Sequence, residues 1–120
     1  MMDPLILIIE DDIDSGFIFS EALRSSGLAS EVVTDGAAAE QRLTEVVPDV
    51  VLLDLHLPLV GGIKLLQQIR GDDRLSHTRV IVVTANDHLT DLVESDADAV
   101  LIKPVAIKQL CRVVKQFLPK

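Results

Sequence analysis

Wholly apolar runs recur along the chain at Leu5–Ile9, Val50–Leu53, Val80–Val83 and Ala99–Ile102. Runs this short and rich in Val, Ile and Leu fit strands buried on both faces of a parallel sheet. Glu31–Thr34 reads as a further short strand. The stretches between them carry helical signals. Asp14 or Ser15 caps a helix running to about Ser26, with Gly27 as its stop. Ala37–Val47 is helical by composition and ends at Pro48. Ile63–Arg70 sets Ile63, Leu66 and Ile69 on one helical face. A weak helix lies within Asp87–Ser95, with Leu89, Leu92 and Val93 as its stripe. The last helix, about Ile107–Leu118, offers Ile107, Leu110, Cys111, Val114, Phe117 and Leu118 as its apolar face, with Cys111 in the core. Five strands and five helices in alternation predict a parallel sheet with right-handed crossovers, an α/β fold in three α/β/α layers.

The polar residue that ends each run matters more than the run. The first run ends at Glu10, Asp11 and Asp12, the second at Asp54, the third at Thr84 and the last at Lys103-Pro104. Asp is common in turns, so Asp54 alone says little. In a parallel sheet, however, all these ends lie on one edge, where open α/β sheets place their ligands. After Asp54, Pro58 closes the loop, and Gly61 and Gly62 let it turn into the next helix.

Three or more carboxylates gathered without a cation would force a proton back onto at least one of them. A divalent cation resolves the conflict. Oxygen ligands without a His/Cys cluster favour Mg²⁺ over zinc, since His56 sits near Asp54 but His77 and His88 fall in distant segments. A metal beside a carboxylate, a hydroxyl and a lysine suits phosphoryl transfer, which needs positioning and charge neutralisation above all. Asp54 is the candidate nucleophile, giving an aspartyl phosphate. Mg²⁺ and Lys103 would neutralise the phosphoryl oxygens, and the Thr84 hydroxyl would donate to one of them.

In order and spacing, Glu10-Asp11, the DLHLP segment with Gly62 eight residues beyond Asp54, Thr84-Ala85 and Lys103-Pro104 together resemble a response-regulator receiver domain. This is the CheY-like phosphoacceptor of two-component signalling, and the match covers nearly all of Leu5–Leu118. The resemblance implies one receiver domain over residues 1–120 and a flavodoxin-like strand order of 2-1-3-4-5. It implies a Mg²⁺-dependent transfer from a histidine kinase or histidine phosphotransfer protein to Asp54, in the cytoplasm, changing the Thr84–Asp87 loop. Such a domain catalyses its own phosphorylation and dephosphorylation and is not a turnover enzyme. Asp11 would bind the metal directly, Glu10 mostly through water, and the His56 backbone carbonyl would be a further ligand. Thr84 would be the switch hydroxyl, Lys103 the phosphate partner, and Ala85 the small neighbour that leaves access. Asp12 falls outside the ligand set, and the His56 side chain is expected to shape water access. Asn86 matches a variable position that tunes phosphate lifetime.

Two departures fall on the surface that receivers commonly use for output and dimerisation. Val100 stands where the family usually carries Tyr or Phe, and the chain has no Tyr or Trp. The Thr84–Lys103 segment is also shorter than usual by about one helical turn. The expected state is a monomer or weak dimer. The alternative function is a protein–protein interaction module of receiver fold whose output is independent of phosphorylation. A flavodoxin-like binder would need a phosphate-cradling first loop, and that loop is acidic here. A haloacid-dehalogenase-type phosphatase would want an acid at position 56, where His stands.

Composition narrows the partners. The net charge of −8 leaves no basic surface to meet phosphates of nucleic acid. The acidic run Asp87, Asp91, Glu94, Asp96 and Asp98 reads as a solvated face. A single cysteine forms no internal disulfide and suits a reducing compartment. No apolar run approaches the ~18 residues of a membrane span, and the N-terminus lacks the basic segment of a signal peptide.

Overall fold

The computed structural model describes residues 3–57, 61–85 and 90–119, apart from the Leu92 side chain. Its elements run β1 Ile6–Ile9, α1 Ile13–Ser25, β2 Glu31–Val33, α2 Gly36–Glu45, β3 Val50–Asp54 and α3 Gly62–Arg70. A single 3-10 turn at Asp73–Leu75 follows, then β4 Arg79–Thr84, α4 Thr90–Val93, β5 Ala99–Ile102 and α5 Ile107–Phe117. All strand pairs are parallel, in the order β2-β1-β3-β4-β5. The fold is thus a three-layer α/β/α sandwich, with the strand order expected. The order reverses between β1 and β3, which opens a crevice at their carboxyl ends.

The period-two alternation of the strands divides the core. Leu7, Ile9, Val51, Leu53, Val80 and Val82 meet Ala39 and Leu43 of α2 and Leu65, Leu66 and Ile69 of α3 on one face. Ile6, Ile8, Val50, Leu52, Ile81, Val83 and Leu101 meet Phe19 and Leu23 of α1 and Leu110 and Val114 of α5 on the other. Each such side chain contributes about 1.5–3 kcal/mol when fully buried, and this double burial is why the strands read as continuous apolar runs.

Several boundaries differ from the sequence expectation. The cap of α1 is Asp12, not Asp14 or Ser15: its carboxylate accepts from the Asp14 N–H at 3.2 Å and the Ser15 hydroxyl at 2.7 Å. The first turn of α1 buries little, with Ile13 exposed, so hydrophobic periodicity begins after the true start. At the other end Gly27 has φ 87°, with Leu28 N–H donating to the Leu23 carbonyl and Gly27 N–H to that of Arg24. This is the left-handed closure that glycine favours. α2 stops at Glu45, not Val47, with Val46 already extended. Pro48 disfavours helix at the residue before it. Arg79 and Thr84 both pair within β4. On α5, Ile107 is exposed, while Leu110 and Val114 are buried and Cys111 is half-buried. Pro58, Asn86, Asp87, Leu89 and the Leu92 side chain lie outside the described residues.

The amino edge of the sheet is tied by side chains. Asp98 is no part of a solvated face. Its carboxylate accepts from the Val80 N–H at 2.7 Å, from Arg70 at 2.7 Å and from Arg79 at 3.1 Å. Arg70 also donates to the carbonyls of Asp96 and Thr78. The Thr78 hydroxyl donates to the Pro48 carbonyl, and Asp49 accepts from the Leu5 N–H. Among the described residues no helix is long and apolar enough to cross a membrane.

Candidate functional site

Register alone assembles the site. Ile9 pairs with Leu53, and Asp54 pairs with Val83. The next residues outward, Glu10, Asp54 and Thr84, therefore line up along the carboxyl edge. Thr84 pairs with Ile102, and the Lys103 N–H donates to the Thr84 carbonyl at 2.8 Å. Lys103 is thereby fixed beside the acids by backbone hydrogen bonding.

The two central acids are buried, Glu10 at 2% and Asp54 at 3% exposure. Lys103 Nζ lies 3.5 Å from Glu10 Oε1 and 3.7 Å from Asp54 Oδ2. Asp11 is exposed, yet Glu10, Asp11 and Asp54 each offer an oxygen within 4.8 Å of the others. This cluster could hold a metal ion. Burial, and then the charge of Asp54, push the Glu10 carboxyl up from 4.5 to about 7, against the pull of Lys103. Among the described residues one ammonium, Lys103, faces these acids, and its pull does not offset the burial of Glu10. Asp12 points elsewhere: the Ser15 hydroxyl holds its carboxyl below the ordinary value.

The loop after β3 is shaped by glycine. Gly61 takes φ 84°, and a Cβ on Gly62 would fall 2.4 Å from Leu55 Cα and 2.6 Å from the Asp54 carbonyl oxygen. The start of α3 thus lies directly on the Asp54 backbone. The His56 N–H donates to Asp54 Oδ1 at 3.0 Å, which leaves Oδ2 on the Lys103 side. Thr84 is fully buried, and Ala85 beside it is exposed.

Two features were not foreseen from sequence. The His56 ring, expected to shape water access, makes a 3.0 Å hydrogen bond through its Nε2 with Thr84 Oγ1 at the end of β4. Nothing in the sequence places position 56 against position 84. The other is an apolar rim. Ile13, Phe17 and Ile18 of α1 and Ile107 of α5 are 73%, 64%, 52% and 41% exposed. Ile18 and Ile107 line a cleft of about 470 Å³ that includes Lys103 and Pro104. The helical spacing of Ile13, Phe17 and Ile18 was available as a signal, though it looks the same as a core stripe.

Residues 6–115 match the family model of the response regulator receiver domain. The chain is 34% identical over 120 residues to the DNA-binding response regulator MtrA of Mycolicibacterium paratuberculosis, covering 98% of this chain and 52% of that protein. It is 32% identical over 118 residues to the transcriptional regulatory protein PrrA of Mycobacterium leprae, covering 96% of this chain and 50% of that protein. Among solved structures, response regulator TrrA of Thermotoga maritima in complex with Mg(2+)-BeF superposes with a TM-score of 0.87 at 25% identity. That match covers 96% of this chain and 99% of the other. The chain belongs to the response-regulator receiver domain family. It spans about half the length of the curated relatives it matches.

Proposed function

We propose that this chain is a single receiver domain that accepts a phosphoryl group on Asp54 in a cytoplasmic phosphorelay. The observation that carries the proposal is one buried carboxylate, Asp54, held between the His56 N–H at 3.0 Å and Lys103 at 3.7 Å. With Oδ1 occupied by the N–H, Oδ2 is the oxygen that attacks. The new bond is Oδ2–P. The bond that breaks is P–N of a phosphohistidine donor, whose imidazole nitrogen takes the electron pair. Lys103 and Thr84 meet the charge on the phosphoryl oxygens. Mg²⁺ fits the all-oxygen donor set of Glu10, Asp11 and Asp54, where burial and then the Asp54 charge raise Glu10. Asp11, Asp54, Glu10 and the His56 carbonyl would hold it, and when bound it supplies charge neutralisation.

The donor would be a histidine kinase or histidine phosphotransfer protein. Such a partner must cover the carboxyl edge, and the exposed rim of Ile13, Phe17, Ile18 and Ile107 beside Lys103 offers the apolar surface for it. Phosphorylation would change the Thr84–Asp87 loop, part of which lies outside the described residues. Acetyl phosphate with Mg²⁺ should add one phosphoryl group to the wild type and none to Asp54→Asn, read by intact mass. Equal labelling of both would overturn the assignment.

A further inference from the structure

We infer that His56 is the ring against which Thr84 switches, so that the signal leaves Thr84 through His56 on the β3 side instead of through Val100 of β5. The inference rests on the phosphoacceptor proposal above and adds the path of its output.

The usual partner ring is missing. Val100 of β5 is a half-buried β-branched residue packed against the α2–α3 side of the core. It has few rotamers and no ring to swing. Phe17 and Phe19 lie on α1, and Phe117 ends α5. Among the described residues a ring that touches the hydroxyl is His56, at 3.0 Å, reaching from the opposite side of β4 to β5.

His56 is tied to both ends of the switch. Its backbone N–H donates to Asp54 Oδ1, and its side chain holds Thr84 Oγ1. A threonine hydroxyl has a single proton to donate. If that proton goes to Nε2, it is withheld from a phosphoryl oxygen. If the imidazole is the donor, the bond still fixes the hydroxyl in one staggered well. A jump between wells carries the oxygen roughly 2 Å, enough to break a 3.0 Å bond. Turning Thr84 toward a charged phosphoryl oxygen gives up the bond to His56 for a charge-assisted one. His56 then loses its buried partner. Its ring is already exposed, so release costs little packing and changes the outer surface of the loop that leads into α3. Gly62 lies against Leu55 and Asp54, so His56 sits between Asp54 and a helix start packed on its backbone.

The test is NMR of the ¹⁵N-labelled His56 imidazole at one fixed pH, with His56→Gln to identify its resonances. Mg²⁺ alone is the reference, because the carbonyl of the same residue is a proposed ligand. Beryllofluoride, a phosphoryl mimic, is then added to the wild type, Thr84→Val and Thr84→Ser. Its bound ¹⁹F signal is recorded on the same samples and on Asp54→Asn. The expected wild-type Nε2 shift differs from that of Thr84→Val before beryllofluoride and moves toward it afterwards. Thr84→Val stays in place and Thr84→Ser regains the movement. An Nε2 shift that is the same in wild type and Thr84→Val at the start, or that moves equally in both, overturns the inference while a bound ¹⁹F signal leaves Asp54 as acceptor. Loss of the bound signal from the wild type, or its persistence in Asp54→Asn, overturns the acceptor assignment and the inference with it.

Discussion

Replacing Glu10 by Gln should stabilise the metal-free protein at high pH and hardly at all at low pH. Glu10 is buried beside Asp54, and its carboxyl is raised from 4.5 to about 7, chiefly by burial. In the folded protein it keeps its proton to higher pH than in the unfolded chain. Its contribution to stability is therefore complete below about 4.5 and is lost as pH rises through about 7. A shift of that size, at about 1.36 kcal/mol per unit, amounts to roughly 3 kcal/mol at pH 8. At about pH 5 the same arithmetic leaves less than about 1 kcal/mol. Gln keeps the shape without the charge. The difference between Glu10→Gln and wild type should thus open with pH, while subtraction cancels the titrating groups that lie away from Glu10, Asp54 and Lys103. Glu31, held low by Arg42, acts below this window. Denaturant titrations in a chelator at about pH 5, 6.5 and 8 measure it. Excess Mg²⁺ at the highest pH should stabilise the wild type more than the variant. A difference that stays flat across the range would refute the claim that burial and Asp54 strain this carboxylate.

Other substitutions separate site from scaffold. Gly62→Ala puts a Cβ 2.4 Å from Leu55 Cα; overpacking of that kind costs about 1–3 kcal/mol. It should also slow labelling of Asp54 by acetyl phosphate, read by mass against time. Asp11→Asn should weaken Mg²⁺ binding severalfold in a calorimetric titration. Asp12→Asn should hardly change it, because Asn still caps α1. Asp98→Ala removes bonds to the Val80 N–H, Arg70 and Arg79 and should lower stability by about 2 kcal/mol. Its labelling rate should stay unchanged, since Asp98 lies on the opposite edge of the sheet.

What the sequence revealed follows from how each feature is encoded. The runs Ile6–Ile9, Val50–Leu53 and Val80–Val83 are buried on both faces, so they are apolar without interruption and each ends at the first polar residue. The site was legible for the same reason: Glu10, Asp54, Thr84 and Lys103 are those end markers, and parallel pairing brings them together. Features set by local hydrogen bonding were harder to see. Asp12 competes with Asp14 and Ser15 as a cap, and Ile13 gives no sign that the helix has begun, since it faces solvent. Asp98 sits among acids that are exposed, and only its Arg partners, 28 and 19 residues earlier, distinguish it. The His56–Thr84 bond joins two loops whose approach depends on side-chain reach, which no periodicity records.

The ties along the amino edge divide the molecule mechanically. Backbone groups there are bound by Asp49, Arg70, Thr78 and Asp98, all side chains that reach across from neighbouring segments. To move one strand end at that edge, several such bonds must break together. At the carboxyl edge Lys103 joins Glu10 and Asp54, and His56 joins Thr84, side chain to side chain, and such bonds can be exchanged singly. A charge placed on Asp54 therefore has no compliant route downward through the sheet. In the proposed switch the displacement would stay at the carboxyl edge, with the opposite edge as the fixed frame against which it is felt.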